Sequence, residues 1–506
     1  MYLRKKKNIS GSISVQIITK SHGHYKVLKT IGCGKTDQDI QKFIFLGKQE
    51  IERLSSQTKL FVSETDTVVD DLFSRIRNAN IRTVGAEIVF GKIYDHIGYN
   101  QINEELFRHL VIARLAYPLS KLKTIDYLYR YQGISIAIDT VYRFLDKLNN
   151  RLKEQVEQIS YNHTKKILGK ISVVFYDMTT LYFEASDEDD LRKTGFSKDG
   201  KAQNPQIFIG LLVGIGGYSI GYDVYEGNIY EGHTLIPFLE KISKKFDIEK
   251  PVVVADSGLL SQNNITALEK GNYEYIIGAR LRNEPVAIIK QITEVELKNG
   301  QCKNIIKPNG QRLIINYSEK RARKDAHNRK RGIKRLEKSI TSGKLTKSNI
   351  NNRGYNKFLK LQGELLVKID IEKIEKDTIW DGLKGYITNS KLSEVEIIEN
   401  YKNLWHIEKA FRISKTDLRI RPIYNRLQSR IEAHICISFV AYSIYKELER
   451  VLYKEKSSLS VKKAAELTHN MYEITYILPE SKHTKSILLK MDENQAELYN
   501  IILKNF

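Results

Sequence analysis

Between positions 171 and 280 the chain alternates short apolar runs with polar punctuation, the pattern of an α/β unit. ISVVFYD (171–177) is a β-branched run closing on Asp177, and QIFIGLLVG (206–214) and YSIGYDVYEG (218–227) predict two further strands. The uncharged stretch 207–222 is too short to cross a bilayer. Gly210, Gly214, Gly216, Gly217 and Gly221 would weaken a helix there, so two buried strands joined by a glycine turn are expected. HTLIPFLEKISKKF (233–246) has helical periodicity, and PVVVAD (251–256) is again a buried strand, closing on Asp256. LSQNNITALEKG (260–271) predicts a helix ended by Gly271, and YEYIIGAR (273–280) a last strand. Three strands, helix, strand, helix, strand is the order of a mixed sheet with covering helices, α/β in class.

Before this unit, SISVQIITKSHGHYKVLKTI (12–31) predicts two strands about a turn at His22, Gly23 and His24, with a helix following near 37–55. From 103 to 160 the pattern is helical. Within it, TIDYLYRYQG followed by ISIAIDTVYRFLDKL reads as helix, glycine turn, helix. That outline fits a helix-turn-helix with 140–148 in the recognition position, and an ordinary helical hairpin fits it equally. After 282 the pattern breaks. The run 319–338 holds ten Lys/Arg against three acids and predicts a basic helix, while LLVKIDI (365–371) and WDGLKGYIT (380–388) look like strands. Positions 393–415 predict one long helix, 434–445 a buried one, and the remainder to 506 a helical region. No internal repeat is present.

Hydrophobic content of 41% and charged content of 28% exclude a wholly disordered chain and a multi-span membrane protein. A length of 506 residues predicts roughly three domain-sized units. With 82 Lys+Arg against 60 Asp+Glu the net charge is +22 and the pI near 9.5, which favours a polyanionic partner: nucleic acid, or an anionic membrane surface. Cys33, Cys302 and Cys436 form no CxxC pair, as expected of a reducing compartment. The start, MYLRKKKNISGSIS, has no apolar run behind it, so no secretory signal is expected. Heavy use of Lys, Ile, Asn and Tyr with only eight Pro suggests an AT-rich bacterial genome.

The candidate chemistry lies in carboxylates. Asp177 and Asp256 both fall at predicted strand ends, the edge where open α/β sheets bind ligands, although a strand-end Asp often serves only as a turn former or helix cap. In YKNLWHIEKAFRISK, Tyr401, Glu408 and Lys415 recur every seven residues, which on a regular α-helix drifts by only about 20° and would place all three on one stripe. Three oxygen ligands suit two Mg²⁺ ions roughly 3.5–4 Å apart, the arrangement that clamps attacking and leaving oxygens in phosphoryl transfer. Asp177, Asp256 and Glu408 would suffice as ligands. The acidic run Asp187, Glu188, Asp189 and Asp190 reads as a solvated loop, and His406, two residues from Glu408, as structural.

YDMTTLYFE around Asp177, VVVADSGLL around Asp256 and YKNLWHIEKAFRISK around Glu408 together resemble the DDE transposases of bacterial insertion sequences, in the subgroup with a Y-x2-R-x3-E-x6-K signature. TGFSKDGKAQNPQIFIGLLV and GYDVYEGNIYEGHTLIPFLEK are similar to that family's stretch between its two aspartates, and the resemblance spans about 171–445. It implies a ribonuclease H-like catalytic core, with Asp177, Asp256 and Glu408 as catalytic metal ligands for two Mg²⁺ ions and Mn²⁺ as a substitute. Tyr401 and Lys415 match the outer signature positions, which in the family meet the DNA end. The signature arginine is replaced by Leu404, and Arg412, one turn beyond Glu408, would take over its contact.

The resemblance also sets the expected organisation. A β-hairpin and helix (1–60) and a helical DNA-end-binding region (61–165) precede the first part of the core (166–281). An insertion of β structure and basic helix (282–396) separates it from the rest of the core with the glutamate helix (397–450), and a C-terminal helical region (451–506) follows. The implied activity is binding of terminal inverted repeats, Mg²⁺-dependent strand cleavage and transfer of the 3′-OH to target DNA. A homodimer would hold two double-stranded ends in a synaptic complex, in the bacterial cytoplasm at the nucleoid and away from membranes. Two alternatives stand beside it: a catalytically inactive or domesticated DNA-binding regulator, and a ribonuclease H-like nuclease without strand transfer.

Overall fold

Alternating buried residues, Val15 and Ile17 among them, draw the first strands together. In the computed structural model, β1 (Tyr2–Lys7), β2 (Ile13–Ser21) and β3 (His24–Gly34) form an antiparallel meander, followed by the helix Asp37–Ser55. The structure describes every residue except 22, 56–63, 78–79, 346, 352, 363–365 and 479–480, so His22 of the expected turn and Leu365 of the expected strand lie outside the described residues. Two compact units result: residues 1–80 with 475–487, and residues 81–474 with 488–506.

The second unit opens with the short strand β4 (Ile81–Thr83) and a set of helices. Among them, Lys121–Gln132 and Ile138–Lys147 form the anticipated helix pair, and Gly133 ends the first helix in the left-handed region at φ 69°. Five strands then build the heart of the large sheet: β5 (Val173–Tyr182), β6 (Gln206–Val213), β7 (Ser219–Glu226), β8 (Val252–Ala255) and β9 (Tyr275–Gly278). The segments after them are β10 (Cys302–Ile306), β11 (Arg312–Tyr317), the basic helix Glu319–Thr341, the hairpin of β12 (Leu359–Gln362) and β13 (Leu366–Ile369), and β14 (Leu383–Thr388). The eight-stranded order is β10-β11-β14-β9-β8-β5-β6-β7. β5 pairs antiparallel with β6 and parallel with β8, β8 runs parallel with β9, and β11 and β14 close on β9 antiparallel. The large sheet is therefore mixed, and the fold α/β. The stretch 451–506 is helical apart from β15 (Tyr472–Ile477) and β16 (Thr484–Leu488).

Side-chain alternation sorts the two sheet faces. Val174, Tyr176, Val253 and Ala255 pack with Phe238, Leu239 and Leu268 from the connecting helices. Val173, Phe175 and Val254 face the other way, into a core with Ile407, Ala410 and the long helix Gln428–Lys454. Every large apolar side chain buried this way contributes roughly 1.5–3 kcal/mol, so both faces are firmly held. Among the described residues no helix is long and apolar enough to cross a membrane.

Candidate active site

Asp177 does not end its strand, contrary to the sequence expectation. β5 continues to Tyr182 because Met178–Tyr182 keeps pairing with β6, Tyr182 facing Gln206. What ends near Asp177 is the parallel pairing with β8, whose last partners are Tyr176 and Ala255. Asp177 and Asp256 are each the next residue after that pair, so the register sets them level at the edge. By alternation Asp177 belongs with Val173 and Phe175, on the face covered by the glutamate helix.

Burial above all raises the Asp177 carboxyl to about 6, with Asp256 and Glu231 adding to the rise, while Lys198 and the N–H of Met178 oppose it. The Lys198 ammonium stands 3.5 Å from Asp177 Oδ1 and 3.0 Å from Glu231 Oε1, and donates to the Met178 carbonyl at 2.6 Å. Burial works against that ammonium, but Asp177, Glu231 and Asp256 outweigh it and raise its pKa. Asp256 Oδ1 accepts from the N–H of Gly258 at 2.8 Å, which orients its carboxylate.

The single helix expected at 393–415 is two: Glu394–Lys402 and Trp405–Thr416. Leu404 N–H donates to the Tyr401 carbonyl (3.1 Å), His406 to Asn403 (3.0 Å) and Ile407 to Leu404 (3.2 Å), the i→i+3 pattern of a 3₁₀ turn. The cause is legible in retrospect. Ile398, Tyr401, Leu404, Ile407, Ala410 and Ile413 are all buried, one every third residue, and a turn of three residues presents that spacing to a core better than one of 3.6. Each tightened residue turns about 120° instead of 100°, so three of them carry Glu408 about 40° past Tyr401 instead of about 20° short of it, and the two stay on one side. Tyr401 is buried, Glu408 is exposed, and Lys415 is half-buried.

Tyr401 nonetheless connects the acids. Burial first, then Asp256, Tyr386 and Glu408, raise its hydroxyl pKa, so both carboxylates act on one ring. Its hydroxyl lies against Gly278, where a Cβ would come within 2.4 Å of the oxygen. Lys415 is held by Asp199 at 3.1 and 3.2 Å, and Arg421 NH1 reaches the same carboxylate at 2.5 Å. Asp199 adjoins Lys198, so this pair ties the glutamate helix to the loop that reaches Asp177. Arg412 is exposed, and its charge only opposes the rise that burial and Asp417 impose on the Tyr445 hydroxyl, which places it toward the long helix. Burial pushes His406 down to about 4, as suits a structural imidazole beside Trp405. Sequence reasoning missed Lys198, Glu231 and Asp199. Their only signal was the quoted TGFSKDG and NIYEGH segments, whose contacts depend on the sheet bringing them back to β5.

Among the described residues no group of three His, Cys, Asp or Glu side chains is gathered closely enough to hold a metal ion. The donor set still fits a hard divalent cation in kind. It is all oxygen, and Asp177 carries a buried charge that a neighbouring carboxylate makes costlier and a cation would relieve.

Position 404, the place of the signature arginine, faces the core, Leu404 being only 8% exposed. Restoring it as Leu404→Arg is therefore expected to destabilise the fold by about 3–5 kcal/mol, through an unpaired buried charge. Urea unfolding monitored by circular dichroism checks this, and an unchanged midpoint would contradict the packing described.

A family profile described as "Transposase DDE domain" matches residues 168–444, more than half of the chain. The chain belongs to the DDE transposase domain family. Two solved structures share distant similarity with it. The cryo-EM structure of a piggyBac transposase synaptic complex with hairpin DNA is 10% identical, over 72% of this chain and 69% of that one, with a TM-score of 0.38. The Mos1 transposase paired-end complex with left transposon end is 11% identical, over 31% and 53%, with a TM-score of 0.16. A comparison with curated proteins gives no match. Membership makes this a polynucleotidyl transferase or endonuclease type of enzyme, in a family generally dependent on divalent metal.

Proposed function

We propose that this DDE-family protein is the transposase of a bacterial insertion sequence, acting at the nucleoid on terminal inverted repeats. The observation that carries the reading is the register Tyr176 with Ala255, which sets Asp177 level with Asp256 on the face covered by the Glu408 helix. The order β7-β6-β5-β8-β9, with the first three antiparallel and the last two parallel to β5, supports a ribonuclease H-like core. Asp177, Asp256 and Glu408 would hold two Mg²⁺ ions, or Mn²⁺ in their place. Bound there, the ions supply an acidified water or 3′-OH nucleophile and offset the charge growing on the phosphate.

The rest is the work of this chain's own side chains. Lys198 screens Asp177 from Glu231 before DNA arrives, and Tyr401 supports the edge between Asp256 and Glu408. Lys415 would meet the transposon end once it exchanges Asp199 for a phosphate, with Arg412 as a further contact. The helix pair Lys121–Gln132 and Ile138–Lys147 is the candidate for reading the repeat, and the basic helix Glu319–Thr341 for backbone contact. A homodimer would hold two ends.

The test uses purified protein, labelled duplexes carrying the DNA that flanks the gene, a target plasmid and Mg²⁺. Nicking at the repeat and joining of the 3′ end to the plasmid are expected. Cleavage with no joined product would favour a nuclease, and binding with neither would favour a regulator.

A further inference from the structure

A cavity of about 790 Å³ opens beside the candidate active site, walled by the ends of β9 and β14, the start of the basic helix, and Ser257 and Tyr401. Six cationic and three acidic side chains line it, and their pairing is uneven. At the far end the charges neutralise one another. Asp377 takes Arg282 and Lys357, Asp381 takes Arg329 through both oxygens at 2.5–2.6 Å, and Arg282 lies over the Trp380 ring.

The end nearest the aspartates is different. Among the described residues Arg280 donates only to the carbonyl of Ser257, at 2.7 Å, one residue after Asp256. The Arg321 guanidinium has, among the described residues, only a long contact of 3.6 Å to Asp325. Lys384 has no acidic partner within ion-pair distance among the described residues, and its ammonium sits 4.3 Å from the centre of the Tyr401 ring. These three cations come from three separate elements and line one corner, where Lys384 is half-buried and Arg280 and Arg321 are exposed. Burial foremost, and Arg321 next, lower the Lys384 pKa, with Glu408 opposing, so the corner is short of negative charge. Three like charges held together with only Asp325 near Arg321 as counter-charge cost free energy that a bound anion would return.

We propose that Arg280, Arg321 and Lys384 form an anion site that receives a backbone phosphate of the DNA strand, next to the phosphate undergoing reaction. This rests on the transposase reading and deepens it. The anion is a phosphodiester and not a small free acid for two reasons. The corner continues directly into the Asp256 edge. Two guanidinium forks and one ammonium suit the several oxygens of a phosphate.

The test measures binding of the metal-free full-length protein to a fluorescein-labelled 30-base-pair duplex, by anisotropy across NaCl concentrations. Lys384→Gln and Arg280→Gln should each reduce the salt slope by about 0.9, equivalent to roughly eightfold weaker binding at 0.1 M salt. Lys357→Gln, in the same cavity but occupied by Asp377, should leave the slope unchanged. Lysine acetylation followed by mass spectrometry should show Lys384 protected by the duplex and Lys357 unaffected. Unaltered slopes in the Lys384 and Arg280 variants, or equal loss in Lys357→Gln, would overturn the site, as would a Lys384 equally reactive with and without DNA. Because no cleavage is read, those results leave the transposase reading to its own assay. A protein that cleaves nothing yet shows the expected slopes upholds the anion site alone.

Discussion

Asp177→Asn, Asp256→Asn and Glu408→Gln are each expected to lower strand cleavage by roughly 10⁴-fold, a loss of about 5.5 kcal/mol of transition-state stabilisation, while DNA binding survives. The size follows from the site acting as a unit. On the proposed reading Asp177 and Asp256, level at the end of the parallel pairing, would each give the metal an oxygen ligand that a neutral replacement removes. For the same reason the effects should not add: a double variant should be no slower than the worse single one. Binding has the opposite tendency. Without metal the carboxylates repel phosphate, so each neutral variant should hold DNA as tightly as the parent or slightly more so. Labelled-duplex cleavage gels and anisotropy on the same preparations separate the two effects. A variant that keeps cleavage would remove its residue from the site, and one that loses both cleavage and binding would assign it a structural role.

Asp177→Asn should also stabilise the metal-free protein, and the gain should depend on pH in a defined direction. The folded protein raises this carboxyl to about 6 from an ordinary value near 3.8, chiefly by burial. The folded state therefore holds the proton more tightly than the unfolded state does. The resulting stability is complete below the ordinary value and is lost as pH rises through about 6. Asparagine mimics the protonated form at every pH, so its advantage should be near zero at pH 4, grow between 4 and 6, and level off above 6 at up to about 3 kcal/mol. Thermal unfolding in metal-free buffers from pH 4 to 8 measures it. Mg²⁺, which favours the ionised carboxylate, should raise the parent midpoint and leave the variant nearly unmoved. A gain that is the same at pH 4 and pH 8 would rule out a strained carboxylate at 177.

The α/β character was legible because buried strands and amphipathic helices announce themselves locally. ISVVFYD, QIFIGLLVG, PVVVAD and YEYIIGAR each carry their state in β-branched or apolar runs, and the glycines at 214, 216 and 217 mark the turn between β6 and β7. The kink at Asn403 and Leu404 was hidden because the seven-residue count from Tyr401 to Glu408 presumes a uniform α-helix. The competing three-residue spacing of buried positions acquires meaning only when a core exists to receive it. Asp177 likewise read as a strand end because MTTLY is more polar than the run before it. Its continued pairing with β6 is a property of the partner strand, which local sequence does not contain.

The element types, the charge surplus and three carboxylates in recognisable surroundings were written in local sequence, since these depend on residues within a few positions of one another. Which side chains those acids meet was settled by folding. Lys198, Glu231 and Asp199 reach the site because parallel and antiparallel pairing fold distant loops back onto β5. Arg280, Arg321 and Lys384 stand together because β9, β14 and the basic helix converge on one corner. Local periodicity is a short-range property of the chain. Charge pairing, desolvation and the raised carboxyl of Asp177 arise from neighbours that the chain brings together only when it has folded.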